Sequence, residues 1–151
     1  FKTKKTLLEN HHRYEMVYEA TKEYPKLKPC KIEFDLPQPN YTVNTLVHLD
    51  EKYSSGYSFS LIMGEDNLKS LHKWKNYETI LENYTIYVYP RISEGAVESQ
   101  FMQHERIKRV NAPIMEISST FIRREHKKGK NIKPMLPPEV WTYMDEMNFY
   151  R

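Results

Sequence analysis

Hydrophobic positions recur at helical spacing close to the N-terminus of this chain. The apolar side of this pattern is formed by Tyr14, Val17, Tyr18 and Thr21. Charged residues lie mostly on the other sides, as expected for a helix that packs along one face. The pattern predicts a helix over about residues 10–24, which Pro25 ends because proline cannot continue the hydrogen-bond ladder.

Four other segments alternate in polarity or are rich in β-branched and aromatic residues. They cover residues 31–35, 59–63, 84–89 and 107–110, and each is predicted to be a strand. The second, Phe-Ser-Leu-Ile-Met, is the most continuously apolar and is expected to be the best-buried strand. Residues 93–105 are polar and without a period, which is typical of a surface loop.

Helical patterns lie between and after these strands. We predict helices that begin near residues 42, 68, 77, 118 and 138, the first of them capped by Asn40 or Thr42. Gly129 is placed to end the fourth helix, and Pro138 is placed at the first position of the fifth. Strands that alternate with helices over short links predict an α/β fold, with a Rossmann-like parallel sheet flanked by helices.

Ligands of such sheets bind at the carboxyl ends of the strands. Gly64-Glu65-Asp66 follows the second predicted strand, and Pro90-Arg91 follows the third. The helix that begins near Ser118 comes next along the chain after the fourth strand. We therefore expect these three places to contribute to one ligand site.

Composition narrows the class of protein. The 151 residues are predicted to form a single domain, and 12 Tyr, 6 Phe and 2 Trp exclude a disordered chain. A net charge of +3 is too small to indicate nucleic acid by itself, but it suits an anionic small molecule. No signal peptide and no apolar run of 18 residues occur, so neither secretion nor a membrane partner is expected.

Cys30 is the only cysteine, which excludes an intramolecular disulfide and favours a reducing, cytoplasmic location. The six histidines show no metal-ligand spacing, and we name no metal-binding residue.

The sequence Ile-Ser-Ser-Thr-Phe-Ile-Arg-Arg, residues 117–124, concentrates the candidate chemistry. Ser118 and Ser119 are both competent N-caps, and Arg123 returns to the hydroxyl side one turn after Ser119. Hydroxyl groups, free backbone N–H groups and a guanidinium together suit a phosphate. A simpler interpretation is an ordinary capped amphipathic helix, with Ile117, Phe121 and Ile122 in the core and the arginines in solvent.

Several blocks in this order resemble one family of enzymes. They are Tyr-Thr-Val-Asn-Thr-Leu at 41–46, Leu-Ile-Met-Gly-Glu-Asp at 61–66, Trp-Lys-Asn-Tyr-Glu at 74–78, Ile-Ser-Ser-Thr-Phe-Ile-Arg at 117–123, Leu-Pro-Pro-Glu-Val-Trp at 136–141 and Phe-Tyr-Arg at 149–151. Together they are similar to bacterial nicotinate-nucleotide adenylyltransferase, over nearly the whole chain. The block around Ser118 alone indicates only the nucleotidyltransferase superfamily, whereas the first two blocks are more specific.

The resemblance implies a nucleotidyltransferase-type fold and transfer of AMP from ATP to nicotinic acid mononucleotide, with Mg²⁺ assisting. It implies that Ser118, Ser119, Thr120 and Arg123 bind the ATP phosphates, with Arg123 as the catalytic residue. ATP and the mononucleotide are then the partners, with no nucleic acid or membrane, and the oligomeric state, a homo-oligomer included, stays open.

The resemblance assigns two further groups of residues. Gly64, Asp66 and Arg91 are implied to bind the nucleotide, with Asp66 near a ribose hydroxyl and Arg91 on adenosine or phosphate. Tyr41, Thr42, Trp74 and Lys75 are implied to bind nicotinate, with Trp74 stacked on the pyridine ring. Lys75 stands where some relatives have tyrosine, so we expect its contact to come from its backbone. Asp66 as a plain N-cap, Trp74 as a core residue and Tyr41-Thr42 as an ordinary helix start remain alternatives.

One departure from the family concerns its N-terminal strand and histidine loop, Gly-x-Phe-x-Pro-x-His-x-Gly-His. This pattern does not occur in the sequence, and we expect that the first strand, helix and loop of the family are missing from it. On that expectation the piece alone is inactive, and the function belongs to the parent protein.

Three other functions stay open. A sibling adenylyltransferase would use nicotinamide mononucleotide or phosphopantetheine instead. A non-catalytic nucleotide-binding module would keep the phosphate site without the histidine loop. A nucleic-acid binder would use the basic run over residues 123–133, although such runs are usually solvated helix faces.

Overall fold

The computed structural model describes residues 8–53, 55–91 and 101–151. The described helices are α1 (Asn10–Thr21), α2 (Thr42–Lys52), α3 (Glu65–Lys69), α4 (Tyr77–Asn83), α5 (Ser119–Lys127) and α6 (Pro138–Glu146). The described strands are β1 (Ser60–Gly64), β2 (Thr85–Tyr89) and β3 (Ile107–Arg109). Short 3₁₀ turns cover Ile32–Phe34, Leu71–Lys73 and Lys133–Met135. Over the described ranges, the helices are too short or too polar to cross a bilayer.

The chain divides into two compact units. The first, the sheet unit, contains residues 36–116, with the three strands and α2 to α4. The second, the helical unit, contains residues 1–35 and 117–151, with α1, α5 and α6. The assignment of the whole chain to a single nucleotidyltransferase domain stays a prediction.

The sheet of the first unit is parallel, in the order β1-β2-β3, as the alternation of strands and helices predicted. Leu61 pairs with Ile86, and Ile86 pairs in turn with Ile107. These residues face a core built with α3 and α4, where Leu68, Leu71 and Ile80 are completely buried. Since all three strands run in the same direction, their carboxyl ends lie at one edge of the sheet. The last residues of the strands are Gly64, Tyr89 and Arg109.

The prediction that 59–63 is the best-buried strand is wrong. Only Met63 and Gly64 of β1 are buried, and the Ile62 side chain is 76% exposed. Successive side chains of a strand point to opposite faces. Ile62 therefore lies with its partner Tyr87 on the face opposite the core, and both side chains are exposed.

The predicted strand over 31–35 is also wrong, because Ile32–Phe34 forms a 3₁₀ turn. The three described strands pair only with one another, so this segment has no sheet ladder to join. Its backbone instead closes locally, with the Phe34 N–H donating to the Lys31 carbonyl at 2.8 Å. The Phe34 ring packs edge-on against Tyr14 of α1.

The predicted loop over 93–105 falls mainly on residues outside the described ranges. Its described end, residues 101–105, is made of turns, and Phe101 is buried among the core side chains of the sheet unit. The Phe101 ring meets Tyr77 of α4 edge-on at 5.6 Å between ring centres. The predicted polar loop therefore contributes one buried aromatic side chain, Phe101, to the core.

Candidate active site

The N-terminus of α5 has the predicted cap. The Phe121 N–H donates to Ser118 Oγ at 3.2 Å, and Ser118 has the extended backbone usual for this position. Ser119 and Thr120 begin the helix and are exposed. Ile117 is 44% exposed, and Phe121 and Ile122 are only half-buried, so the simpler interpretation of an apolar core face does not hold for Ile117.

The two neighbouring arginines of α5 are in different electrostatic surroundings. Arg124 Nε donates to Glu125 Oε1 at 2.9 Å, and its guanidinium lies 5.3 Å from the centre of the Phe121 ring. Among the described residues, Arg123 has no carboxylate within ion-pair distance; its guanidinium faces the Tyr150 ring at 5.7 Å. Of the two arginines, Arg123 is therefore the one whose charge is not neutralised by any carboxylate in the described part of the chain.

Glu125, which is 5% exposed, is the one buried residue of α5. Lys130 Nζ lies 2.6 Å from its Oε2, and Lys128 Nζ lies 3.1 Å from its Oε1. Hydrogen bonds from Lys130, Arg124 and Lys128 lower the pKa of Glu125 to about 2. The carboxylate thus gathers the basic residues at the end of α5, where Gly129 adopts the left-handed φ of +72° expected after a helix.

A cavity of about 190 Å³ lies beside Arg123. It is lined by Met16, Ser119, Ile122, Arg123, His126, Leu136, Val140, Met144 and Tyr150. Ligand pockets for whole molecules usually exceed about 300 Å³, so the cavity is too small to enclose a nucleotide. Its polar wall, formed by Ser119, Arg123 and His126, continues from the N-terminal turn of α5.

The second group of candidates meets at the carboxyl edge of the sheet. Arg91, after β2, lies with its Nη1 3.4 Å from Asp66 Oδ2, after β1. The backbone of Gly64 lies close to both side chains of this pair. A Cβ there would be 2.4 Å from Asp66 Oδ1 and 2.9 Å from Arg91 Cδ. The structure therefore brings Gly64, Asp66 and Arg91 together. Gly64 itself, not Asp66, holds the N-cap position of α3, so the plain-cap interpretation of Asp66 is wrong.

Glu65 at the same edge was not singled out in the sequence. Its side chain is only 4% exposed, and Oε1 lies 2.7 Å from Arg109 Nη2 at the end of β3. The backbone N–H of Arg91 donates to its Oε2 at 3.5 Å. One buried carboxylate thereby connects the carboxyl ends of all three strands. Nothing in the sequence marks this role, because the partners come from separate strands.

The third group of candidates surrounds the start of α2. Tyr41 holds the N-cap position, and α2 has no side-chain cap hydrogen bond, so neither Asn40 nor Thr42 caps the helix as predicted. The Lys75 ammonium lies 4.5 Å from the centre of the Tyr41 ring, so its side chain lies beside the start of α2. The expected ligand contact from the Lys75 backbone stays a prediction. Trp74 is half-buried against the core of the sheet unit. Trp74 therefore contributes to packing, and its predicted stacking on a pyridine ring stays a prediction.

The comparisons with known proteins agree on one family. The cytidylyltransferase-like family profile matches residues 1–125. A probable nicotinate-nucleotide adenylyltransferase of Christiangramia forsetii is 64% identical over 150 residues, which cover 99% of this chain and 77% of the relative. One from Flavobacterium psychrophilum is 61% identical with the same coverage.

Solved structures support the fold. The nicotinic acid mononucleotide adenylyltransferase of Plasmodium falciparum, complexed with NaAD, superimposes with a TM-score of 0.76 at 20% identity. The match covers 99% of this chain and 78% of that one. The same enzyme complexed with APC gives a TM-score of 0.75, with 95% and 77% coverage. The similarity in fold and the high identity to curated relatives lead to one assignment. The chain belongs to the cytidylyltransferase-like family and, within it, to the nicotinate-nucleotide adenylyltransferases.

Proposed function

We propose that the parent protein of this chain transfers AMP from ATP to nicotinic acid mononucleotide, with deamido-NAD and pyrophosphate as products. The observation that carries the assignment to the phosphate site is Arg123. It lies one turn into a capped helix, beside exposed hydroxyl groups, without a carboxylate partner among the described residues. The names of the curated relatives support nicotinic acid mononucleotide as the acceptor.

The reaction is an in-line displacement at the α-phosphorus of ATP. A phosphate oxygen of the mononucleotide forms the new bond to this phosphorus. The bond from the phosphorus to the bridging oxygen of the β-phosphate breaks, and pyrophosphate leaves with that electron pair. Such a reaction needs positioning and charge stabilisation from the protein. Ser118, Ser119, Thr120 and Arg123 are proposed to bind the phosphates, since the free N–H groups of α5 and a guanidinium both favour anions.

The nicotinate end is assigned to the start of α2. Because no side chain among the described residues caps this helix, we propose that N–H groups of its first turn bind the carboxylate, as a preference for the acid over the amide requires. Lys75, close to Tyr41, adds positive charge at the same place. Trp74 is proposed to stack on the pyridine ring. At the sheet edge, Gly64, Asp66 and Arg91 are proposed to bind the nucleotide, with Asp66 on a ribose hydroxyl.

Nucleotidyltransferases of this kind use a divalent metal ion. In the part of the chain that the structure describes, no group of three His, Cys, Asp or Glu residues could hold one. Mg²⁺ is the metal we propose, because it is usually bound through substrate phosphates together with one or two carboxylates. When bound, the ion offsets charge on the triphosphate. Since ATP is a substrate, the cytoplasm is the proposed location.

The direct test is pyrophosphate release by the full-length enzyme from ATP and nicotinic acid mononucleotide, with deamido-NAD identified as the product. Absence of deamido-NAD would overturn the proposal. Faster turnover of nicotinamide mononucleotide or phosphopantetheine would assign the enzyme to a sibling activity, and nucleotide binding without turnover would indicate a binding module.

Arg123 and Arg124 offer a matched pair for the phosphate site. Arg123→Ala is expected to lower kcat/KM for ATP about tenfold or more, equivalent to roughly 1.4 kcal/mol per decade. Arg124→Ala removes the same charge one residue later, from a guanidinium held by Glu125, and is expected to leave kcat/KM nearly unchanged. Equal effects of the two substitutions would show that only general positive charge matters.

A further inference from the structure

The C-terminal segment after α6 folds back onto the helical unit. The Asn148 N–H donates to the Asp145 carbonyl at 3.1 Å, and the Phe149 N–H donates to the Met144 carbonyl at 3.0 Å. At the end of the chain, Arg151 Nη2 lies 2.5 Å from Asp145 Oδ1. The last residues are therefore attached to α6 by both backbone and side-chain contacts.

Contacts between aromatic rings also hold the C-terminal segment in place. The Phe149 ring packs edge-on against His12 of α1, with ring centres 4.7 Å apart, and against Tyr143 of α6 at 6.0 Å. His12 Nδ1 and the Tyr143 hydroxyl share a hydrogen bond of 2.8 Å. This cluster fixes the direction in which the chain leaves Phe149.

Tyr150 is held in an unusual backbone conformation by these contacts. Its φ is +62°, and that of Asn148 is +55°. Left-handed φ values are uncommon for bulky residues and cost on the order of 1–3 kcal/mol, so they persist only where surrounding contacts enforce them. The result of this conformation is that the half-buried Tyr150 ring faces the Arg123 guanidinium at 5.7 Å, at the wall of the cavity.

An aromatic ring affects an arginine differently from a carboxylate. The ring face attracts the cation through its quadrupole but leaves the N–H donors of the guanidinium available. A carboxylate would occupy those donors and compete with a phosphate, as Glu125 does for Arg124. A ring is therefore suited to hold a phosphate-binding arginine in place without neutralising it.

We propose that Tyr150 is a positioning residue that orients Arg123 towards the triphosphate of a nucleoside triphosphate, and that the folded-back C-terminal segment exists to place it. The inference rests on the proposed role of Arg123 in binding ATP phosphates. It adds a residue from the far end of the chain to the phosphate site and requires no contact between Tyr150 and the substrate.

The test compares Tyr150→Leu and Tyr150→Phe in the full-length enzyme. Tyr150→Leu is expected to raise the KM for ATP roughly three- to tenfold, while the KM for nicotinic acid mononucleotide stays unchanged. Tyr150→Phe keeps the ring and is expected to behave like the wild type. A merely structural role would lower both affinities or the melting temperature together. Equal KM values for ATP in all three proteins would overturn the inference.

A double-mutant cycle with Arg123→Ala separates this inference from the proposed function. If Tyr150 acts through Arg123, Tyr150→Leu has no further effect on the KM for ATP in the Arg123→Ala background. An equal effect in both backgrounds overturns the positioning role. An Arg123→Ala enzyme with wild-type kinetics overturns the proposed phosphate site itself.

A second variant covers the outcome in which Tyr150→Leu does not fold. Arg151→Ala removes only the exposed ion pair to Asp145 that holds the end of the segment. It is expected to raise the KM for ATP in the same direction, by less than Tyr150→Leu, with little change in melting temperature. An unchanged KM for ATP in Arg151→Ala, if Tyr150→Leu is unfolded, counts against the inference.

Discussion

Glu125 Oε2 lies 2.6 Å from Lys130 Nζ, so that a buried carboxylate of α5 is paired across the turn that ends the helix. Arg124 and Lys128 supply two further cationic donors to the same carboxylate. A buried charge with three partners depends on all of them remaining ionised. This cluster also pairs the exposed Arg124 with a carboxylate, whereas no carboxylate among the described residues pairs with Arg123.

The cluster predicts how stability depends on pH. The pKa of Glu125 falls from 4.5 to about 2 on folding, because its hydrogen bonds favour the charged form. Below pH 4.5 the unfolded chain therefore takes up a proton that the folded chain does not. Stability from this group is present above pH 4.5 and is lost as the pH falls towards 2. Glu125→Gln should thus be less stable than the wild type at pH 7, with a difference that shrinks towards pH 2.

The measurement is urea unfolding at several pH values between 2 and 7. Glu146→Gln, at an exposed position at the end of α6, is the control and should follow the wild-type profile. A constant stability difference between Glu125→Gln and the wild type across this range would contradict the prediction.

The cap of α5 predicts different outcomes for two adjacent serines. Ser118→Ala loses the bond from the Phe121 N–H and should cost about 1 kcal/mol, or about 2–4 °C in melting temperature. Ser119→Ala, at an exposed first helical position, should leave stability nearly unchanged. Both are proposed phosphate contacts, so both should raise the KM for ATP. Calorimetry with steady-state kinetics on the two variants measures the two effects separately. Equal melting temperatures would show that the cap contributes nothing.

Gly64 is predicted to be required for space rather than for backbone freedom. Its φ of −78° and ψ of 157° are ordinary for any residue, but an added Cβ would overlap Asp66 Oδ1 and Arg91 Cδ. Gly64→Ala should displace the Arg91–Asp66 pair and cost about 1–3 kcal/mol. In an Asp66→Ala background the closest overlap is absent, so the added cost of Gly64→Ala should be smaller. Thermal unfolding of the four proteins in this cycle gives the coupling, and additive costs would place the constraint elsewhere.

Tyr84 predicts a change at the alkaline end of the stability profile. Burial and the hydrogen bond from its hydroxyl to Asp50 raise the pKa of Tyr84 from 10.0 to about 12. Above pH 10 the unfolded chain releases a proton that the folded chain retains, so stability falls as the pH rises from 10 to 12. Tyr84→Phe should be less stable at pH 8, by about 1–3 kcal/mol, and should lose part of this alkaline decline.

Tyr87→Phe is the control for this titration, because Tyr87 lies on the exposed face of β2, the strand that begins directly after Tyr84. Chemical unfolding between pH 8 and 12 should show the wild-type decline in Tyr87→Phe and a shallower one in Tyr84→Phe. Parallel profiles of the two variants would show that Tyr84 does not titrate with a raised pKa.

Local features of the fold were predictable from the sequence because their physical causes are local. The Ser118 cap, the Gly129 helix end and the start of α6 at Pro138 each depend on the backbone preferences of one or two residues. The parallel sheet followed from the alternation of strands and helices, and its edge brought Gly64, Asp66 and Arg91 together as expected. The family was predictable as well, because its blocks are short and ordered, and the curated relatives confirm it.

Other features depended on contacts between distant segments, and only the tertiary structure determined them. Residues 31–35 alternate like a strand, but they pair with no described strand and form a 3₁₀ turn. Ile62 is apolar yet exposed, because strand geometry places it away from the core.

The candidate phosphate site shows the same division between local and distant causes. The sequence by itself determined that residues 118–124 would form a capped helix start that ends in two arginines. Only the tertiary structure decided which arginine stays available. Buried Glu125 pairs with the exposed Arg124, Lys128 and Lys130, whereas the ring of Tyr150 faces Arg123. The charge environment of each arginine depends on burial and on contacts with distant residues. The neighbouring residues in the sequence determine neither of these.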